Sequence, residues 1–218
     1  MADQNTWQVR ATAYELLALT FRYPEQALAE AVASGEWAEA VEEVADALSV
    51  ALPVKPADAC APYLGHDAEE VLHTLRIEAT HLFVGAPNPA VSPFEGVWRA
   101  KDDGVQPLLF VNPHSMAVER FMKACGIGQA EGKNEPLDRV STELEFLQWL
   151  SMVEAGMTEL SEGLAAEALP GGSVAGAYDE FVEEHIRTWM PRFCDAVAAE
   201  AREPFFRTAA PILRAFIA

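Results

Sequence analysis

Apolar side chains recur at every third or fourth position over most of the chain, which is the spacing that places them on one face of an α-helix. In the first half of the chain this pattern predicts four helices. They span Trp7 to Phe21, Leu28 to Val32, Trp37 to Leu48, and Val71 to Phe83. The first helix stops before Pro24, the second ends near Gly35, and Asp67 is placed to cap the fourth.

The second half of the chain continues the helical pattern. Asn112-Pro113 is a typical helix start, because asparagine caps the first amides and proline fits the first turn. Glu135-Pro136 is predicted to start another helix in the same way, with an apolar stripe from Val140 to Leu160. Two further helices follow, from Tyr178 to Phe193 and from Phe205 to Phe216. No segment alternates with the period of a half-buried strand, so we predict an all-α fold.

A segment rich in proline and glycine, Gly85 to Pro107, interrupts the helices. Loops of this length are uncommon inside a domain and are usually functional. Its aromatic residues, Phe94 and Trp98, argue against a merely solvated linker. We therefore predict a single helical-bundle domain over residues 1–218, with about eight to ten helices, this central loop as the first candidate site, and a hinge within residues 84–112.

The charge of the chain restricts its partners. With 34 acidic and 15 basic residues the net charge is −19, so nucleic acid and anionic membranes are not expected partners. This charge fits two interpretations. The acidic surface attracts a basic partner, or it only keeps the protein in solution. Three widely spaced cysteines, Cys60, Cys125 and Cys194, form no zinc or dithiol motif. With no secretory signal and no run of 18 apolar residues, we expect a cytoplasmic protein.

Two Glu-x-x-His pairs, Glu70 with His73 and Glu78 with His81, suggest a metal-dependent helical enzyme as an alternative. Both pairs fall on one predicted helix, eight residues apart, so they cannot face each other and are better interpreted as solvated helix residues. The sequence contains no nucleophile elbow and no phosphate-binding loop. We therefore predict no enzyme, no catalytic residue and no metal. A helical adaptor module without peptide recognition remains a further alternative.

Three segments, in order along the chain, carry more specific patterns. The first runs from Leu82-Phe83 to Trp98 through Gly85 and several prolines, the second is Glu135-Pro136-x-Asp138-Arg139, and the third is His185-x-x-x-Trp189. Together they resemble the TorD/DmsD/NarJ family of redox-enzyme maturation chaperones. Gly96 stands where that family usually has serine, and Arg139 stands where it commonly has histidine.

The resemblance implies an all-α chaperone that binds the twin-arginine leader and the apo form of a molybdopterin oxidoreductase. Such a chaperone holds the enzyme until its cofactor is inserted, before export or assembly. The resemblance also implies that a domain-swapped homodimer can form and that GTP can bind weakly, with no other cofactor. A net charge of −19 fits a basic leader.

On this resemblance we predict a peptide-binding site in which aromatic side chains take the apolar part of the leader and carboxylates take its arginines. The carboxylates are Glu95, Glu135 and Asp138. The full set is Phe83, Pro89, Pro93, Phe94, Glu95, Val97, Trp98, Glu135, Pro136, Asp138 and Arg139. Arg139 lacks the titration near neutral pH of a histidine, and we expect it to pair with Glu135, Asp138 or Glu143 instead.

Overall fold

The computed structural model describes residues 3–85, 87–105, 112–128 and 136–218. Over these residues the chain forms α-helices and no β-strand, which confirms the all-α prediction. The helices are α1 (Gln4–Phe21), α2 (Gln26–Ser34), α3 (Glu36–Leu48), α4 (Ala57–Cys60), α5 (Ala68–Ala79), α6 (Glu95–Asp102), α7 (Pro113–Ala124), α8 (Val140–Glu154), α9 (Val174–Phe181), α10 (Arg187–Glu200) and α11 (Pro204–Phe216). Wider π-type turns continue α5 over Thr80–Val84 and join α9 to α10 over Val182–Ile186, and two 3₁₀ turns lie at Ala166–Ala168 and Pro170–Gly172.

The predicted helix ends are confirmed where a specific residue sets them. The Asp67 side chain accepts hydrogen bonds from the first amides of α5, and the Asn112 side chain accepts one from the amide of His114 at 2.9 Å. Gly35 has a φ of 89° and ends α2. Such a conformation costs glycine little, because it has no β-carbon.

Two parts of the prediction need correction. The segment predicted as a loop from Gly85 to Pro107 contains α6, which begins with Glu95 and has Arg99 and Lys101 in its last turn. These charges complement the helix dipole, but eight residues are too few to show a clear apolar period. The helix predicted to start at Pro136 begins at Val140 instead, and it ends at Glu154, before Leu160.

By its internal contacts the fold divides into two compact units. The first consists of Met1–Tyr14 and Phe94–Met190, and the second of Glu15–Pro93 and Pro191–Ala218. The boundary between Pro93 and Phe94 lies within residues 84–112, where the sequence predicts a hinge. Movement at that point stays a prediction.

Each unit has an aromatic core. In the second unit Phe83 stacks on Phe193 with ring centroids 5.9 Å apart and meets Phe206 edge-on at 5.6 Å. In the first unit Phe181 lies between Phe146, at 4.7 Å, and Phe121, at 5.2 Å. Among the described residues, no helix is both long and apolar enough to cross a bilayer.

Candidate functional site

The Phe94–Trp98 end of the first segment meets the second and third segments inside the first unit. A backbone bridge joins Phe94 to Arg139, and the Glu95 amide donates a hydrogen bond to the Asp138 carbonyl at 2.9 Å. This bridge fixes the start of α6 beside the segment that precedes α8. His185, from the turn before α10, lies 3.0 Å from the Glu95 carboxylate. Residues from each of the three segments therefore lie together in the first unit.

Asp138 fastens α6 and α7 together. Its carboxylate is buried and accepts hydrogen bonds from the Gly96 amide at 2.8 Å and from the Ser115 hydroxyl at 2.6 Å. The Asn112 side-chain amide donates to the Gly96 carbonyl at 2.6 Å, so the helix start is held from both sides. Burial raises the pKa of the Asp138 carboxyl, and the bonds from Ser115 and Gly96 oppose that rise.

Gly96 is required by this packing. A β-carbon at that position would lie 2.3 Å from the Ser115 hydroxyl oxygen and 2.9 Å from the Asp138 carboxylate, both well inside contact distance. The serine that the family usually has at position 96 would therefore occupy the place of the Ser115 hydroxyl.

Glu95 is the centre of an ion-pair network. Its side chain is fully buried and lies 3.0 Å from the Arg99 guanidinium, one helical turn later, and 3.0 Å from the His185 ring. The same Arg99 nitrogen donates to the Glu184 carbonyl and to the Thr188 hydroxyl, each at 3.1 Å. Burial of a charged carboxylate is costly, and these ion pairs and hydrogen bonds offset that cost for Glu95.

A third buried carboxyl, Glu143 on α8, lies deeper in the same unit. The Trp189 indole donates to one of its oxygens at 3.0 Å, while its other oxygen has no hydrogen-bond partner among the described residues. Burial, together with the negative charges of Glu95 and Asp138, raises the pKa of Glu143 well above its usual range. Glu143 therefore holds its proton to a higher pH than an exposed glutamate does.

A cavity of about 610 Å³ opens beside this network. Its volume falls within the range of small-ligand and peptide-anchor sites. The lining combines buried charge, basic side chains and an aromatic wall. It consists of Glu95, Arg99, His114, Ala117, Arg120, Phe121, Glu184, His185 and Thr188.

The structure places several predicted peptide-binding residues away from solvent. Phe83 is only 6% exposed and belongs to the aromatic core of the second unit, so it does not line an open groove. Pro93 is also buried, and Pro89 is half-buried in that unit. The prediction that Phe83 offers exposed aromatic surface to a peptide is therefore wrong, because its ring is already used in packing.

The predicted carboxylates are also enclosed. Glu95 and Asp138 are 0% and 1% exposed, and both already accept hydrogen bonds from the protein itself. In this structure both carboxylates are thus occupied by groups of the protein itself, and their pairing with an arginine of a peptide stays a prediction. Glu135 lies outside the described residues.

The remaining predicted residues are half-buried and partly accessible. They are Phe94, Val97, Trp98, Pro136 and Arg139. Among the described residues Arg139 forms no ion pair with Asp138 or Glu143, and its Nε atom is buried without a hydrogen-bond partner. The expected pair between Arg139 and Glu143 is not formed, because the Glu143 carboxyl faces the Trp189 indole instead.

Sequence reasoning missed four members of the network, namely Arg99, Asn112, Ser115 and Thr188. For Arg99 a signal existed, because Glu95 and Arg99 have the spacing of an ion pair on a helix. Ser115 and Thr188 gave no signal, since a lone hydroxyl on a helix is usually solvated.

The Glu-x-x-His pairs have separate environments. Glu70 and His73 are exposed, whereas Glu78 is only 3% exposed. The Glu78 carboxylate accepts hydrogen bonds from the amides of Arg202 and Glu203, so its interpretation as a solvated residue is wrong. Within the described part of the chain, no three His, Cys, Asp or Glu side chains are grouped closely enough to hold a metal ion.

Comparison with known proteins places these features in a family. The family model of the nitrate reductase delta subunit matches residues 31–195. The chaperone protein TorD from Vibrio cholerae serotype O1, El Tor Inaba strain, is 26% identical over 136 residues, which is 62% of this chain and 56% of that protein. TorD from the Classical Ogawa strain is 25% identical over 151 residues, or 69% of this chain and 62% of that protein. The chain thus spans about three fifths of the length of these curated relatives.

A solved structure shares the fold. The crystal structure of a candidate redox enzyme maturation protein from Archaeoglobus fulgidus superposes with a TM-score of 0.53 at 17% sequence identity. The match covers 93% of this chain and 91% of the other. Because the family model also covers well over half of the 218 residues, the chain belongs to the nitrate reductase delta subunit family, the TorD/NarJ family that its three segments resemble.

Proposed function

We propose that this protein is a redox-enzyme maturation chaperone that binds the twin-arginine leader and the apo form of a molybdopterin oxidoreductase. In this role it acts in the cytoplasm by binding, and it holds its client until the cofactor is inserted. It is not a catalyst. The observation that carries the proposal is that residues from each of the three family segments join one network, beside a cavity of about 610 Å³ in the first unit.

The wall of the cavity combines an aromatic surface and hydrogen-bond acceptors with the basic side chains of Arg99 and Arg120. Phe121 provides an aromatic surface, and the Glu184 carbonyl and Thr188 hydroxyl provide hydrogen-bond acceptors. Half-exposed Val97 and Trp98 on α6 add apolar surface in the same unit. A leader that contains two arginines and an apolar segment needs both kinds of contact.

Charge favours the encounter. The chain carries a net charge of −19, so its field attracts a basic leader and raises the association rate most at low ionic strength. Within this proposal Glu95 and Asp138 keep α6, α7 and the cavity wall in position. Direct contact with the leader then falls to residues that reach the cavity or the surface.

Calorimetry tests the proposal with a synthetic twin-arginine leader from the oxidoreductase encoded by the same organism. We expect micromolar or tighter binding that weakens with salt, and at least tenfold weaker binding by Trp98→Ala, since a tryptophan at an interface contributes strongly. Met157→Ala is the matched control, because Met157 is an exposed apolar residue of the same unit that lies outside the three family segments.

Two results would contradict the proposal. One is that the wild-type protein binds no twin-arginine leader and also does not bind the apo oxidoreductase. The other is that it binds a folded partner tightly and no peptide at all, which is the behaviour of an adaptor module.

A further inference from the structure

Three hydrogen-bond acceptors converge on a single point in the wall of the cavity. They are the Glu95 carboxylate at 3.0 Å, the Glu184 carbonyl at 3.1 Å and the Thr188 hydroxyl at 3.1 Å, all measured to one nitrogen of Arg99. The acceptors come from α6, from the π-type turn before α10 and from the first turn of α10. Together they form a receptor for one guanidinium group, and the chain's own arginine fills it.

The chemistry of this receptor favours guanidinium over other cations. A guanidinium is planar, presents several N–H donors in fixed directions and is weakly hydrated, so it pairs with a buried carboxylate more readily than an ammonium does. The Glu95 side chain is fully enclosed, and Phe121 lines the same cavity and offers an aromatic face. Because all three acceptors contact one nitrogen of Arg99, the preference for guanidinium rests on its weaker hydration and on the aromatic wall.

We propose that Arg99 occupies the receptor in the free protein and that one arginine of the client's leader takes its place. This inference rests on the proposed function and extends it, because it names the atoms that recognise the arginine and a contact that competes with binding. Glu95 then recognises the leader only after Arg99 has left, which reconciles its burial with a role in arginine binding.

The geometry permits this exchange. The Arg99 side chain is 26% exposed and lies at the cavity, so it can leave toward solvent without disturbing the core. The Glu95 carboxylate keeps its contact with His185 throughout, and one guanidinium replaces another. Because Arg99 competes with the leader, the apparent affinity equals the intrinsic affinity multiplied by the fraction of time that the receptor is free. A receptor that is free about one tenth of the time weakens binding about tenfold.

The first experiment tests the receptor without any leader peptide. Arg99→Ala empties the receptor. The melting temperature of this variant is measured in millimolar ethylguanidinium and, as a control cation, in ethylammonium at the same concentration. We expect ethylguanidinium to raise the melting temperature of Arg99→Ala relative to ethylammonium and to have no such effect on the wild type. If Arg99→Ala does not fold, Arg99→Gln provides the same test with a neutral side chain that fills more of the space.

The second experiment measures leader binding by calorimetry. We expect Arg99→Ala to bind the twin-arginine leader about tenfold more tightly than the wild type, and to discriminate more strongly against the same peptide with both arginines replaced by lysine. Lys123→Ala is the control for net charge, since it removes one positive charge from an exposed position of α7 outside the cavity. Its affinity is expected to change far less.

The outcomes separate this inference from the proposed function. If Arg99→Ala binds the leader no more tightly than Lys123→Ala, or more weakly than the wild type, Arg99 is not a competitor and the inference is overturned while leader binding stands. If ethylguanidinium and ethylammonium act alike on Arg99→Ala, the receptor does not select guanidinium and the inference also fails. A response to ethylguanidinium without leader binding by any variant contradicts the proposed function and, with it, the assignment of the leader as the occupant.

Discussion

Replacing Glu78 by alanine removes the carboxylate that closes the start of α11. One Glu78 oxygen accepts hydrogen bonds from the Arg202 amide at 2.5 Å and from the Glu203 amide at 3.3 Å, and the residue is 3% exposed. A hydrogen bond to a charged group contributes about 1.5–3 kcal/mol, and the longer bond contributes least. We therefore expect Glu78→Ala to lower the free energy of unfolding by about 3 kcal/mol.

Urea unfolding followed by tryptophan fluorescence measures this loss, and calorimetry should show a melting temperature lowered by about 6–12 °C for a chain of this size. Glu70→Ala is the matched control, because Glu70 starts the other Glu-x-x-His pair on the same helix but is exposed. Glu70→Ala should lower the free energy of unfolding by less than about 1 kcal/mol. If the two variants are equally stable, Glu78 does not hold the start of α11 and the reasoning from its burial is refuted.

Three other predictions concern buried groups. Folding raises the pKa of Glu143 above its ordinary value of 4.5, so the folded protein binds more protons at this residue than the unfolded chain does. The free energy of unfolding of the wild type should therefore fall relative to that of Glu143→Gln as the pH rises above 4.5. Parallel curves of unfolding free energy against pH from 4 to 8 would contradict this. Gly96→Ser should lower the free energy of unfolding by about 1–3 kcal/mol, because the new side chain overlaps the Ser115 hydroxyl. Adding Ser115→Ala should restore part of that free energy. If the two substitutions have additive effects in a double-mutant cycle measured by urea unfolding, the two side chains do not compete for the same space. Burial raises the pKa of Cys60 and of Cys125 to about 11, so both thiols should react with a thiol reagent at pH 8 only after urea is added; rapid reaction of the native protein would show that they are accessible.

Much of the helical framework could be predicted from the sequence. Local signals act over a few residues, so the apolar period located α1 to α3, and the Asp67 and Asn112 caps located two helix starts. The same reasoning missed α6 and placed the start of α8 too early. A helix of eight residues carries too little periodicity, and a proline after glutamate does not decide where the first helical turn forms.

The candidate site was predicted in location more accurately than in detail. Glu95, Asp138 and His185 were each singled out on their own segments, and the structure brings these segments together. Phe83 was assigned to the site for its position in a motif, but it packs in the other unit's core. A motif gives the order of residues along the chain, and only packing decides which side chains remain accessible.

The sequence by itself determined the all-helical class, the strongly acidic charge and the segments that matter, because these depend on composition and on short-range spacing. The tertiary structure decided which groups meet. Residues 42 positions apart join where Asp138 binds the Gly96 amide, and residues 90 positions apart join where His185 meets Glu95. Such contacts depend on how helices pack, and no local pattern encodes them. For this reason the enclosure of Glu95 by Arg99 and the cavity beside it appear only in the folded chain.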